Sequence, residues 1–457
     1  MLTILLGLIG LGIVVLVHEF GHFLLARAMG VEVEAFSIGW GPRIVGIKRG
    51  KTEWRVSAFP IGGYCKMKGE DSFRKALENK ADALPQEDGS FYGAAPWRRI
   101  LISLAGPAFN VLFAIVVFIV IAAVGYSVQS SPNRVALASE YRLDAGAPAV
   151  QSFPADTAGL KTGDRIIEAN GKPISDYNAI QELVALSAGK PLSLVVDRDG
   201  SRIALSVTPV MDKNSGAGRI GVFSWIDPVV ANVAPGSPAA IAGIEPGDSI
   251  VSIDGRPVRH VVEALSILSS HPERSVFEMR RGSSTFQTTL VLNWKSGDQS
   301  TLGGMDFRLA TKTIRAESPG AAVVSGLGET WRTFSLSIEG LGLLFRGVNV
   351  LKAVSGPARI VDLVGRSATA GIEHSGSGGL ALPFNILAFL SIGLFIMNLL
   401  PIPALDGGQI LMFVVEAFRR NPLRPITIYR FQFVGAALIL AIFVLATIGD
   451  VLFFAAK

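Results

Sequence analysis

The sequence is poor in charge and almost without cysteine. Only 17% of its 457 residues are Asp, Glu, Lys or Arg, against about 25% in an ordinary soluble domain, which argues against a purely soluble chain. The single cysteine, Cys65, excludes an internal disulfide framework and a cysteine-ligated zinc finger. Histidine is scarce as well, with five residues in the whole chain. The 50 glycines follow no Gly-X-Y period, which excludes a collagen-like fibre. The net charge of +5 raises the question of nucleic-acid binding, and the location of the basic residues decides it.

What is there instead is long apolar sequence. Residues 1–17, 100–133, 375–405 and 431–449 carry no charge, and the first stretch stays apolar around His18 to about Met29. Each reaches or approaches the roughly 20 residues that cross a hydrocarbon core. The first has no basic leader and no A-x-A-like site, so it reads as a retained helix and not a cleaved signal. The loop 31–99 holds twelve Lys and Arg, and 419–430 holds Arg419, Arg420, Arg424 and Arg430 without an acid. Both are expected to be cytoplasmic, which leaves about 130–380 outside. The excess positive charge is then topological, and no nucleic-acid partner is expected. The segment 322–352, interrupted by Glu329, Arg332, Glu339 and Arg346, reads as an interfacial amphipathic helix and not a fifth span.

The external region repeats itself at an offset of about 84. Ala158-Gly159-Leu160, Gly163-Asp164 and Asn170-Gly171-Lys172-Pro173 parallel Ala242-Gly243-Ile244, Gly247-Asp248 and Asp254-Gly255-Arg256-Pro257. Asn-Gly and Asp-Gly beside short apolar runs are hairpin signals. The pattern resembles the PDZ domains of bacterial envelope proteases, over 129–212 and 213–310. Such domains add a chain end to a sheet edge. Ile220-Gly221-Val222-Phe223 looks like the carboxylate-binding loop of the second copy, which makes Gly221 and Phe223 candidate peptide contacts. The plainer reading is that both copies only shield the membrane part.

The chemistry lies in the apolar segments. His18-Glu19-Phe20-Gly21-His22 is an H-E-x-x-H pattern on an expected helix. Spacing i, i+4 stacks both imidazoles on one face, where two nitrogens reach one zinc ion. Glu19 stands next to that face and can take a proton from water. An ionisable cluster within an apolar helix is costly and by default functional. Zinc needs a third protein ligand. His260, His271 and His374 fall in the external region, so Asp406 is the best candidate, within Asn398-Leu399-Leu400-Pro401-Ile402-Pro403-Ala404-Leu405-Asp406-Gly407-Gly408. The two prolines are expected to break the third span where it lines a protein cavity.

HEFGH, the later N-x-x-P-x-P-x-L-D-G and Gly106-Pro107-Ala108-Phe109-Asn110 together resemble the site-2 protease family of intramembrane zinc metalloproteases, in its sigma-E-regulating branch with tandem PDZ domains. The resemblance covers essentially the whole chain. It implies a polytopic α-helical membrane protein with about four transmembrane helices, a membrane-associated β-hairpin and two external α+β PDZ domains. It implies His18, His22 and Asp406 as Zn2+ ligands, Glu19 as catalytic base, Asn398 near bound substrate, and Asn110 either there or in a structural hydrogen bond. The domains are then 1–30 (first span), 31–99 (cytoplasmic loop with the hairpin about Arg49–Thr52), 100–128 (second span), the two repeats, 311–380 (linker with the amphipathic helix), 383–418 and 431–455 (third and fourth spans). The implied activity is cleavage, in the bilayer of a bacterial inner membrane, of single-span proteins such as anti-sigma factors already trimmed by another protease in an envelope stress response. Remnant signal peptides are a second implied substrate. The PDZ domains would be periplasmic and the active site towards the cytoplasm. A catalytically inactive PDZ-bearing scaffold is the alternative, and it would need neither metal motif. Cys65, on the reducing side, is expected to be inert.

Overall fold

The computed structural model describes the chain except for residues 86, 142–151, 213–214, 293–301, 344–354, 374–378 and 456–457. The chain divides into two compact units, one built from Met1–Ser127 and most of the chain from Thr313 on, the other chiefly from Val128–Lys312.

The first unit opens with α1, Leu2–Ala28. Its strands β1 (Val33–Arg49) and β2 (Thr52–Met67) meet at a two-residue turn, with Arg49 opposite Thr52. They form more than a simple hairpin. Each of Ala35–Ile38 has one neighbour among Gly63–Lys66 and another among Glu53–Val56, so the two long strands double back and pair as four adjacent segments of one sheet. The bends fall where Gly39, Gly41 and Gly62 take positive φ, a region closed to most side chains. Near those bends Trp40, Ile44, Ile47 and Phe59 are exposed apolar residues. After α2 (Glu70–Glu78), α3 runs from Pro96, at a position that needs no N–H donor, to Val124.

The second unit holds two similar halves. The first has an antiparallel sheet ordered Lys172–Pro173, Arg165–Ala169, Leu192–Arg198, Ser201–Val207, with α4 (Pro154–Thr157) and α5 (Tyr177–Leu186). The second repeats it with Arg256–Pro257, Ser249–Ile253, Arg274–Arg281, Ser284–Val291, α6 (Pro238–Ile241) and α7 (Val261–Ile267). The Gly-Asp motif explains itself. Asp164 is buried, accepts the Lys161 N–H and pairs with Arg198; Asp248 accepts the Glu245 N–H and pairs with Arg281. That guanidinium holds the Asp248 carboxyl below the usual carboxylate range. Trp225 lies between the halves, its ring 3.7 Å from the Arg134 guanidinium and 4.4 Å from the His260 ring.

The boundary between the copies needs correction. Each half is closed by a second strand pair, Val135–Leu137 with Val222–Ser224 in the first and Val230–Val233 with Met305–Phe307 in the second. Ile220 and Val222 pack into the first core, among Val135, Ile166 and Val196. Gly221 and Phe223 therefore belong to the first copy, not the second. The Ala155 N–H donates to the Ile220 carbonyl, and the Ala239 N–H donates to Gly303 in the same way. The equivalent loop of the second copy is Leu302-Gly303-Gly304-Met305. In both loops a glycine is obligatory: a β-carbon at Gly221 would strike Phe153, and one at Gly304 would strike Ser237.

The chain returns to the first unit with α8 (Pro319–Leu343), α9 (Pro357–Glu373), α10 (Ala381–Leu399), α11 (Asp406–Arg419) and α12 (Pro425–Ala455). Among the described residues four helices, α1, α3, α10 and α12, are long and apolar enough to cross a membrane. The expected third span at 383–418 is two helices, α10 and α11. The expected amphipathic helix at 322–352 corresponds to α8 as far as Leu343, the rest lying outside the described residues. α8 packs directly on α3, since a β-carbon at Gly326 would meet the Ile119 backbone. The linker holds a second helix that the sequence reading did not separate, α9. Gly7 and Gly10 of α1 allow α9 to approach at Val361 and Val364. Asp450, buried in α12, accepts the N–H groups of Gly356, Ala358 and Arg359 at the start of α9.

Candidate metal centre

Two helices bring the predicted ligands together. His18 and His22 are buried one turn apart on α1, some 25 Å from its start at 1.5 Å per residue. Asp406 opens α11 after the break Leu400–Leu405, where Ala404 takes φ of 75°. The Asp-Gly-Gly run has a packing reason. A β-carbon at Gly407 would collide with the carbonyls of Leu399 and Leu400, and one at Gly408 with that of Ile402. Only glycines let the first turn of α11 fold back onto the broken end of α10.

One nitrogen from each histidine and one carboxylate oxygen lie within 4.8 Å of one another. The two Nε2 atoms are 3.1 Å apart; Asp406 Oδ2 lies 3.1 Å from that of His18 and Oδ1 lies 3.5 Å from that of His22. The Nδ1 atom of His22 is 2.8 Å from the Ile102 carbonyl of α3. A carbonyl only accepts, so Nδ1 of His22 carries the hydrogen and its Nε2 carries a lone pair. That lone pair faces a carboxylate and a second imidazole. A cation reconciles the three, and ligand separations near 3.3 Å are what tetrahedral zinc requires at bond lengths of about 2.0–2.1 Å. The donor set fits the metal.

Around the donors is a cavity of about 430 Å3 whose walls include Glu19, Cys65, Asn398 and Gln409 as well as all three donors. Glu19 lines it beside the two histidines, and so does Cys65, on β2. The sequence reading set Cys65 aside; it is part of the wall. Burial, then the neighbouring Glu19 and Glu70 carboxylates, push its thiol up, and it stands outside the His18, His22 and Asp406 cluster. Asn398, at the end of α10, lines the cavity as a candidate substrate contact should. Asn110 does not. It is fully buried, its Nδ2 lies 3.2 Å from Nδ1 of His18, and Ser391 of α10 donates to its backbone carbonyl. Its contact is with the His18 ring. Gly221 and Phe223 are in the other unit and are no part of this cavity.

The sequence reading also missed what α3 does as a whole. Ile102, Gly106 and Asn110 recur every four residues and so share one helix face. All three meet the histidine pair, Gly106 so closely that a β-carbon would collide with both rings. The start of α3 is tied to α11 by Arg99, buried, bidentate to buried Glu416 and stacked 4.7 Å over Phe413.

Comparison with known proteins agrees with this geometry. Residues 6–442 match the model of peptidase family M50. Proteins named "Putative zinc metalloprotease" from Treponema pallidum and Borreliella burgdorferi are 39% and 30% identical, over 99% and 98% of both chains. The regulator of sigma-E protease RseP of Escherichia coli is 30% identical over 91% of both chains. The HExxH helix, the distant aspartate and the four apolar helices thus sit in a chain that belongs to peptidase family M50, the site-2-type metalloproteases.

Proposed function

We propose that this chain is an intramembrane zinc endopeptidase that cleaves the transmembrane segments of single-span membrane proteins. The observation that carries the reading is the convergence of His18, His22 and Asp406 on one cavity with Glu19 in its wall, held between apolar helices. His18 and His22 through Nε2, and Asp406 through its carboxylate, are the residues to hold Zn2+. When bound, zinc supplies a Lewis acid that polarises a scissile carbonyl and makes water a competent nucleophile. Glu19 takes the proton from the attacking water and returns it to the leaving amine. Asn398 offers its amide to the substrate backbone.

The cavity is read as facing the cytoplasmic side, because α1 and α3 have Arg27 and Arg98 near the ends closest to it. The Val128–Lys312 unit is read as a periplasmic pair of PDZ domains in a bacterial inner membrane. In the first copy the Tyr177 hydroxyl donates to the Val222 carbonyl at 2.8 Å, on the strand after the loop, and Phe153 closes over Gly221. An added peptide strand would have to displace both. That favours a filter, passing substrates already trimmed by another protease, over capture of a new chain end. The name of the E. coli relative makes an anti-sigma factor in an envelope stress response the first substrate to try, with remnant signal peptides second. The decisive experiment incubates the detergent-solubilised protein with single-span substrates, with and without a zinc chelator. Cleavage that chelation abolishes and zinc restores is expected; cleavage indifferent to chelation would refute the reading.

A further inference from the structure

The two imidazoles are held in different ways. His22 has its tautomer fixed by a main-chain carbonyl, that of Ile102, which can only accept. His18 has at the equivalent nitrogen a side-chain amide, that of Asn110. An amide presents a donor at one end and an acceptor at the other, and a half-turn about Cβ–Cγ exchanges them in place. In the structure the Nδ2 end faces His18, so Nδ1 accepts and the neutral ring carries its hydrogen on Nε2, 3.1 Å from Asp406 Oδ2, which has no hydrogen-bond partner among the described residues. Once His18 gives its Nε2 lone pair to a cation, Nδ1 must carry the hydrogen, and an amino group facing it would set donor against donor. The half-turn places Oδ1 there instead. Oδ1 is buried with no hydrogen-bond partner among the described residues, so no other bond holds the amide in its present sense.

We propose that Asn110 is a positioning residue that sets the tautomer of His18, donating to Nδ1 when the site is empty and accepting from it when zinc is held. His22 is then a permanently prepared ligand and His18 a conditional one. This rests on the zinc reading above. Partners of this kind on ligating histidines typically change metal affinity 10–100-fold when removed.

The test compares Asn110→Leu, which keeps the volume and removes both functions, with Asn110→Asp, whose carboxylate can only accept. Zinc affinity is measured on the full-length protein in detergent by competition with a chromogenic chelator. Asn110→Leu is expected to bind about 10–100-fold more weakly, and Asn110→Asp to stay within about threefold of the unsubstituted protein. A purely structural role predicts the opposite order, because a buried carboxylate disturbs packing more than leucine does. Equal affinity in all three proteins, or an Asp variant as weak as the Leu variant, overturns the proposal. If neither variant folds, 15N-histidine spectra of the unsubstituted protein decide: His18 protonated at Nε2 without zinc and at Nδ1 with it supports the proposal, and the same tautomer in both states overturns it. Failure of the unsubstituted protein to bind zinc at all would instead refute the zinc reading itself.

Discussion

Gly106 is the residue at which the metal centre leaves least room. Its missing side chain is what lets α3 lie against Nε2 of His18 and of His22, and any β-carbon would push those nitrogens off their common point. Gly106→Ala is therefore expected to lower zinc occupancy sharply while helical content by circular dichroism stays unchanged, since alanine favours a helix more than glycine does. Unaltered zinc stoichiometry in this variant would show that the rings can yield without cost. Glu19 is the complementary case, a residue whose loss should spare the metal. Glu19→Gln keeps the side-chain shape and removes the base, so one zinc per chain is expected with proteolysis abolished. Asp406→Ala should do the reverse, losing zinc first, because two imidazoles alone make an incomplete site. Metal analysis beside a cleavage assay separates the two kinds of loss.

The break between α10 and α11 places Asp406, and α11 is in turn fixed at its far end by the Arg99–Glu416 pair. Removing one partner of a buried pair strands the other charge, at a cost of about 3–5 kcal/mol. Glu416→Ala is thus expected to lower the thermal midpoint markedly, and Arg99→Leu combined with Glu416→Leu to recover much of it. A single substitution with no measurable effect would mean that water reaches the pair. These element-scale relations mark where sequence reading ended. The H-E-x-x-H helix and the Pro-x-Pro-x-Leu-Asp-Gly break were legible because their spacing is local: one helical turn in the first, two prolines in the second. The face Ile102, Gly106, Asn110 has helical spacing too, but nothing local says which neighbour that face meets. The strand Val222–Ser224 was assigned to the wrong copy because three residues carry little pattern and their partner lies about 87 positions upstream. The paired β1 and β2 were legible at their turn and illegible at their bends, where the second neighbour of Ala35–Ile38 depends on folding back at Gly39 and Gly62.

At the scale of the molecule the distribution of arginine and lysine sets the expected orientation. With Cys65 replaced, single cysteines in 70–95 and 421–428 are expected to resist an impermeant thiol reagent applied to spheroplasts, and those in 252–290 to react. Labelling of 421–428 from outside would break the four-span arrangement. The middle unit carries a consequence of its own. In each half the opening strand pairs with the closing one, Val135–Leu137 with Val222–Ser224 and Val230–Val233 with Met305–Phe307. The chain therefore leaves each half beside the point at which it came in. A segment closed in this way can be inserted or removed with its two chain ends already side by side. Tandem duplication is then the least disruptive way for such a protein to lengthen, and the number of halves is free to change by whole units.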